Sequence, residues 1–423
     1  MQENFLHYVW QFKKFDTAHL KTTTGEAIAL LNNGQYNLNG GPDFFNAQLK
    51  IDDQLWAGNV EIHIKSSDWY VHNHELDAAY DNVILHVVYE HDTDIFRKDN
   101  SKIPTLQLND LIHKNVLHNY QKLLMTPSKW INCENDIAEV DDFLMSNWLE
   151  RLYIERLERK SRAIKILLKS SKNDWEGVLF KLLAKNFGLK VNGDAFFSMA
   201  NSFDFSIVRK MQSQPLQLEA LFFGQFGLLE INIENAYYLN LVKEYQFLKQ
   251  KFKLSNDQVL PLQFFRLRPP NFPTIRLSQL AMLYHQHHSL FAKIMNAETI
   301  EPLYELFHVT TSEYWNTHFT FEKLSQSSKK SLTKSFVDLL LINTILPLRF
   351  CYQQNQGGNA AESSLLMAQK IASEQNGIIT AFNNLRPMSN SSLTSQALIQ
   401  LKTEYCDKNR CMSCAIGNSL LVK

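Results

Sequence analysis

Residues 40–92 read GGPDFFNAQLKIDDQLWAGNVEIHIKSSDWYVHNHELDAAYDNVILHVVYEHD, and three runs inside them decide the fold. From Asn59 to Lys65 the chain alternates, with Val60, Ile62 and Ile64 apolar and Asn59, Glu61, His63 and Lys65 polar. Period two marks a β-strand, so the first set faces a core and the second shares one open face. Phe44 to Ile51 reads as a preceding strand, joined to it by Asp52-Asp53-Gln54 in a loose hairpin. Val83 to Tyr89 is apolar apart from His86, the composition of a strand covered on both sides.

Asp43 opens the first of these strands, and Glu61-x-His63-x-Lys65 lies along the next. Two carboxylates hold a hard divalent cation through oxygen, and magnesium keeps waters for chemistry. A neighbouring His or Lys orients or deprotonates such a water. The same pattern also describes a half-buried sheet with a solvated polar face. Against that plainer reading stand five histidines, His63, His72, His74, His86 and His91, beside Asp77 and Asp81 in one short window.

Working outward, Asn4 to Phe15 has the apolar stripe of a helix in Phe5, Leu6, Val9, Trp10 and Phe12. Glu3 at its mouth is either a favourable dipole charge or a member of the site. A short strand covers Ala27 to Leu31, and Asn32-Asn33-Gly34 turns the chain. Gly40 and Gly41 let Pro42-Asp43 sit on an abrupt bend. A last strand, Ile103 to Leu108, and a helix from Asn109 to about Leu124 complete a first domain, 1–126. Thr126-Pro127-Ser128 reads as the boundary to a mainly helical domain, 127–423.

Asp141-Asp142 can cap a long helix through Lys169, and further helices are expected near 174–187, 217–229, 234–252, 276–296 and 331–346. The basic side of the first of these is either a solvated face paired with glutamates or a face turned to phosphate. The expected fold class is therefore α+β, an N-terminal mixed β-sheet flanked by helices followed by a mostly α-helical region.

Two further clusters lie in the second part. Three prolines stiffen residues 266–276, where Arg266, Arg268 and Arg276 form either a phosphate-binding grip or part of a structural crossing loop. Cys406-x4-Cys411-x2-Cys414 brings three thiols together near the end of the sequence. A zinc or iron–sulfur centre takes four ligands, and both Cys133 and Cys351 are available as the fourth.

The whole chain of 423 residues has a formal charge of zero, unevenly spread. Residues 1–125 hold 10 Lys+Arg against 16 Asp+Glu, leaving 33 against 27 for the rest. An acidic front and a basic remainder suit a metal-rich site whose anionic substrate is gripped from elsewhere, or two domains that dock. The first residues lack a basic stretch followed by an apolar run, and no apolar stretch approaches bilayer-spanning length. Five cysteines are not a disulfide framework. A reducing, cytoplasmic setting without membrane attachment is the expectation.

Gly41-Pro42-Asp43-Phe44, Gly58-Asn59-Val60-Glu61-Ile62-His63, Ser67-Asp68-Trp69 and His72-x-His74 carry a resemblance, joined by Asn82 to Val88, Arg268-Pro269-x-Asn271-Phe272-Pro273 and the terminal cysteines. In these the chain resembles the bacterial domain-of-unknown-function-2851 family along essentially its whole length, a likeness that implies no particular activity. More distantly, the first third is similar to PD-(D/E)xK nucleases, with Glu3, Pro42-Asp43 and Glu61-x-His63 falling in the order of that superfamily's helix and two strands. This resemblance implies a restriction-endonuclease-like sheet. It further implies that Asp43 and Glu61 hold Mg²⁺ or Mn²⁺, with the Ile62 carbonyl a further ligand. The superfamily's lysine position is occupied by His63, and Lys65 lies one strand step later, so either is a candidate to orient water.

The leading expectation is a metal-dependent nuclease acting on DNA or RNA, with Glu3, Asp43, Glu61, His63 and Lys65 as catalytic residues. Two alternatives stand beside it. One is a catalytically inactive module that binds nucleic acid or protein. The other is a histidine-rich zinc or manganese hydrolase of a small substrate, which requires His72, His74 and His86 to converge with Asp77.

Overall fold

The structure, a computed structural model, describes residues 1–37, 39–125 and 130–422. The expected boundary at Thr126-Pro127-Ser128 lies outside the described residues. The fold is α+β, a mixed sheet with helices followed by a mostly helical region. Two compact units form, the first comprising Met1–Trp148, Asn384–Arg386 and Leu401–Lys423, the second Leu149–Asn383 and Pro387–Gln400.

In the first unit the alternating runs become β4 (Phe44–Ile51) and β5 (Gln54–Lys65), after helix α1 (Glu3–Gln11) and the short strands β1 (Leu20–Lys21), β2 (Ala27–Asn32) and β3 (Gln35–Tyr36). Ile51 pairs with Gln54, so the hairpin turn is only Asp52-Asp53, and Asp52 takes the left-handed conformation it needs at φ 51°. β6 (Val83–Glu90) and β7 (Thr105–Gln107) follow. The sheet order is β1-β2-β4-β5-β6-β7, with β3 paired off β4. Pairing is antiparallel from β1 to β5 and parallel from β5 through β7. The chain must therefore cross over between β5 and β6, and it does so through α2 (Asp68–Val71) and two single turns at His74–Leu76 and Ala78–Tyr80. Gly58 permits the close approach of β5 to this crossover's end, since a Cβ there would lie 2.6 Å from the Asn82 carbonyl oxygen.

α1 buries Phe5, Leu6, Val9 and Trp10 and packs on β5. It ends at Gln11, short of the expected Phe15, because Lys13 turns left-handed at φ 50°. The expected strand from Ile103 shrinks to Thr105–Gln107, since the Ile103 N–H is drawn to the Ile95 carbonyl instead. Helix α3 (Lys114–Met125) starts later than Asn109 and receives the C-terminal helix Ala415–Val422. Helix α4 (Asp142–Ser170) begins in this unit, and the Asp141 carboxylate caps it by accepting the Leu144 N–H at 3.0 Å.

The second unit is helical. The expected helix over 276–296 is two, Pro273–Gln286 and Leu290–Asn296, parted at His287, whose ψ of 87° is not helical. Helices at Leu189–Asn201, Gly377–Leu385 and Ser392–Gln400 have no counterpart among the expected elements, whereas Ala360–Lys370 is the helix that Gln356-Gly357-Gly358-Asn359 leads into. Lys334–Asn355 runs unbroken for 22 residues through a π-turn at Leu341–Ile345, and one 18-residue window of it has mean hydropathy 1.4. Asp338, Asn343 and Arg349 interrupt it, so it is not the uninterrupted apolar stretch whose absence the sequence suggested. By length and composition it could cross a membrane, but 72% of that window is buried, as in a core helix.

Candidate active site

Four segments of the first unit converge. α1 contributes Glu3 and His7, which are four residues apart and so share one face. The loop before β4 contributes Asp43. Its bend is fixed by Asn37, whose Nδ2 donates to the carbonyls of Gly40 at 3.2 Å and Pro42 at 3.0 Å. β5 contributes Glu61 and His63, the crossover folds back His72 and His74, and β6 places His86 behind them.

Asp43 and Glu61 are laced together across the two strands. The Asp43 N–H donates to Glu61 Oε2 at 3.0 Å, and the Ile62 N–H donates to Asp43 Oδ2 at 3.0 Å. Glu61 Oε1 then lies 3.4 Å from His74 Nε2 and 3.6 Å from His63 Nε2. His7 Nε2 stands 3.2 Å from Asp43 Oδ2, too poorly aligned for a hydrogen bond but close enough for an ion pair. Glu3 reaches the group less closely, 4.0 Å from His63 Nε2.

His63 is the hub of an imidazole chain. Its Nδ1 meets His86 Nε2 at 2.8 Å and its Nε2 meets His72 Nδ1 at 3.0 Å. Each contact between two such rings uses one N–H and one lone pair. His63, His72 and His74 each offer a nitrogen, and these atoms lie within 4.8 Å of one another. Among the described residues this is the one group of three or more His, Cys, Asp or Glu donors so close. At the inner end of the chain His86 Nδ1 is buried with no partner.

Burial, and then the charge of Asp43, push the Glu61 carboxyl up to about 9. Burial also raises Glu3, with His7 opposing it. His63 is pushed down to about 2, first by burial and then by the other histidines. His86 falls to about 3 and His74 is lowered, both chiefly by burial. His7 goes the other way. Burial pulls it down, but contact with Asp43 and the charges of Asp43, Glu3 and Glu61 outweigh that, so its pKa is raised. His63, His74 and His86 are thus neutral imidazoles with lone pairs, beside carboxylates that disfavour one another's charge. Those donors fit a divalent cation, whose presence would relieve the repulsion. Carboxylates suit Mg²⁺ or Mn²⁺, whereas imidazoles suit zinc and its neighbours.

The face carrying Glu61 and His63 is not open as expected. Both side chains are buried, at 5% and 1% exposure, because α1 and the crossover cover β5. Lys65 is not drawn into the group. It is half exposed and its ammonium lies 3.9 Å from Glu90 Oε2. Ile62 contributes its N–H to Asp43. Asp77 does not join the histidines either, since its carboxylate accepts the Ala79 N–H at 2.9 Å and caps a turn. His91 pairs with Asp94 at 3.4 Å.

The three arginines of the expected phosphate grip have different surroundings. Arg276 is buried, bonded to Gln279 and Asn271 and stacked 3.7 Å from the Phe336 ring centroid. Arg266 lies over Phe265, and Arg268 is exposed. Of the cysteines, Cys133, Cys406, Cys411 and Cys414 line one pocket, while Cys351 is buried in the second unit near the Ser161 carbonyl. His7 was missed by the sequence reading, although its spacing from Glu3 on a helix would have placed it here.

Fold and site together define an α+β protein whose N-terminal mixed sheet carries a covered carboxylate–histidine centre. The chain belongs to the family described as "Protein of unknown function (DUF2851)", whose model matches residues 3–377. No curated protein and no solved structure matched it.

Proposed function

We propose that this centre is a metal-dependent phosphodiesterase site acting on nucleic acid. One observation carries the reading. Asp43 and Glu61 are held against each other by reciprocal backbone hydrogen bonds, with Glu3 and three imidazoles at the same place. Supporting it is the order of elements, a helix with Glu3, a strand opening at Asp43 and an antiparallel strand bearing Glu61 and His63. That is the order the nuclease resemblance implies.

A divalent cation held by Asp43 and Glu61 would supply charge for a phosphoryl group and activate water. The chain's own residues do the rest. His63 stands where the resemblance expects a lysine. As a neutral ring it offers a lone pair, not a positive charge, and so acts as ligand or proton acceptor. His74 sits against Glu61 and is stacked on Tyr80 with centroids 3.8 Å apart, which fixes its plane. His7 Nε2 stands beside Asp43 Oδ2, the same oxygen that accepts the Ile62 N–H. Mn²⁺ matches this mixed oxygen and nitrogen donor set better than Mg²⁺.

The test is hydrolysis of labelled single- and double-stranded DNA and RNA by the purified chain with Mn²⁺ or Mg²⁺. Cleavage that needs the metal and disappears in Glu61→Gln is expected. Equal cleavage by that variant, or none on any polynucleotide, would sink the assignment.

The proximity of the His63, His72 and His74 nitrogens favours a second reading, a zinc or manganese hydrolase of a small substrate. Small phosphate esters turned over with Zn²⁺ while polynucleotides are spared would select it. A metal-independent polynucleotide affinity without turnover would instead point to a binding module.

A further inference from the structure

A second cluster lies at the C-terminal end of the first unit, where the turn Cys411–Ser413 packs on α1. Cys133 and Cys406 are separated by 273 positions in sequence, yet they line one pocket with Cys411 and Cys414. A cavity of about 20 Å³ lies between their walls. All four thiols are free; no disulfide joins any two of them. Four cysteines gathered from two distant segments without bonding to each other are a ligand set.

The surroundings support it. Asn132, next to Cys133, donates from Nδ2 to Asn409 Oδ1 at 3.1 Å and to Cys411 Sγ at 3.5 Å. One side chain thus ties the first segment to the second and places a donor on a sulfur. Burial raises the Cys414 thiol, and the backbone N–H groups of Gly417 and Ile416 oppose that rise. Donors aimed at sulfur favour the thiolate, the form that binds metal. Gly417 allows the C-terminal helix to close on the Cys411 turn, since a Cβ there would lie 2.1 Å from the Cys411 carbonyl oxygen.

Spacing separates the two kinds of centre. Zinc–sulfur bonds of about 2.3 Å put the sulfurs of a tetrahedral site roughly 3.8 Å apart. No three of these cysteines form a group mutually within 4.8 Å, although the three histidines of the other centre do. A cluster in which each thiolate binds its own iron spreads its ligands more widely than a single ion does, and the enclosing walls, Leu123, Leu401 and Ile416, are apolar.

We propose that Cys133, Cys406, Cys411 and Cys414 hold an iron–sulfur cluster, with Cys133 as the fourth ligand and Cys351 taking no part. The full chain, purified without oxygen, carries iron and acid-labile sulfide in equal amounts and a broad visible absorption that dithionite bleaches. Cys133→Ser loses the iron and the colour, while Cys351→Ser keeps both. A buried ligand's replacement can also unfold the chain, so the wild-type protein supplies a second readout. Chelating its iron exposes Cys133, Cys406, Cys411 and Cys414 to a thiol reagent, as mapped by mass spectrometry. Zinc without sulfide, protein free of both metals, iron retained in Cys133→Ser, or labelling of those four cysteines unchanged by chelation would each overturn the proposal.

Discussion

Glu61 Oε2 takes the Asp43 N–H at 3.0 Å, which leaves Glu61 Oε1 turned toward His63 and His74. One carboxylate therefore has a structural oxygen and a second oxygen available to a ligand. Glutamine keeps the shape and the acceptor but not the charge. Glu61→Gln is expected to melt within a few degrees of the wild type in chelator and to lose the rise in Tm that Mn²⁺ causes. A cation at a hundredfold its Kd contributes about 2.7 kcal/mol, so the lost rise is measurable by thermal denaturation. An equal Mn²⁺ shift in the variant would remove Glu61 from the ligand set.

The two histidines that contact each other at 3.0 Å, His63 and His72, differ in burial and so in what their loss should do. His63→Ala leaves a void in the core and strips His86 Nε2 of its partner. A cost of about 2–4 kcal/mol is expected in urea unfolding. His72 is exposed, and His72→Ala should cost less than about 0.5 kcal/mol. If the imidazoles hold a cation, His72→Ala nevertheless weakens Zn²⁺ or Mn²⁺ binding at least tenfold by calorimetry. Unchanged metal affinity would leave His72 a bystander.

Lys65 shares strand parity with Glu61 and His63, but its ammonium stands beside Glu90 at 3.9 Å and half in solvent. Exposed pairs of this kind contribute about 0.2–1 kcal/mol. Lys65→Ala should leave hydrolysis within about threefold of wild type and shift stability by no more than that range. A hundredfold loss of turnover would return Lys65 to the catalytic group.

What the sequence made legible follows from the range of each signal. β4 was readable to the residue, Phe44–Ile51, because alternation and a two-residue turn are both local. Glu61 and His63 were readable as neighbours on one face, since period two places them there whatever covers them. Their burial was not, because the cover comes from α1 and the crossover, which periodicity in β5 does not report. Likewise Cys133 and Cys351 were equal candidates by composition, and only packing puts the first beside Cys411. The break at His287 carries no glycine or proline to announce it. His7 was legible in principle, from helical spacing alone.

Lys160 in the second unit donates from Nζ to Asn343 Oδ1 at 2.8 Å, and burial pushes its pKa down to about 7. The unfolded lysine titrates near 10.5, so from about pH 7 upward the unfolded chain binds the extra proton. This group's contribution to stability therefore rises with pH across that window and is least favourable below pH 7. Lys160→Met should be more stable than wild type at pH 6.5, and the difference should shrink toward pH 9.5. Urea midpoints of both proteins at matched pH measure it, and a difference independent of pH would contradict the assignment.

Gly417 faces the Cys411 carbonyl so closely that a methyl group has nowhere to go, with 2.1 Å between a built Cβ and that oxygen. The obstacle is backbone, so no side chain can rotate away. Gly417→Ala must push the helix Ala415–Val422 off the turn that carries Cys411, and Cys414 moves with it. Overpacking of this kind costs about 1–3 kcal/mol. If the four thiols hold iron, the variant also releases it sooner, and the half-life of the visible absorption under chelator should fall at least fivefold. Gly377 is the matched control, because a Cβ there meets nothing within 4 Å. Gly377→Ala should keep both its stability and its colour, and a Gly417→Ala protein that behaves the same way would show that the close approach does not govern the cysteine centre.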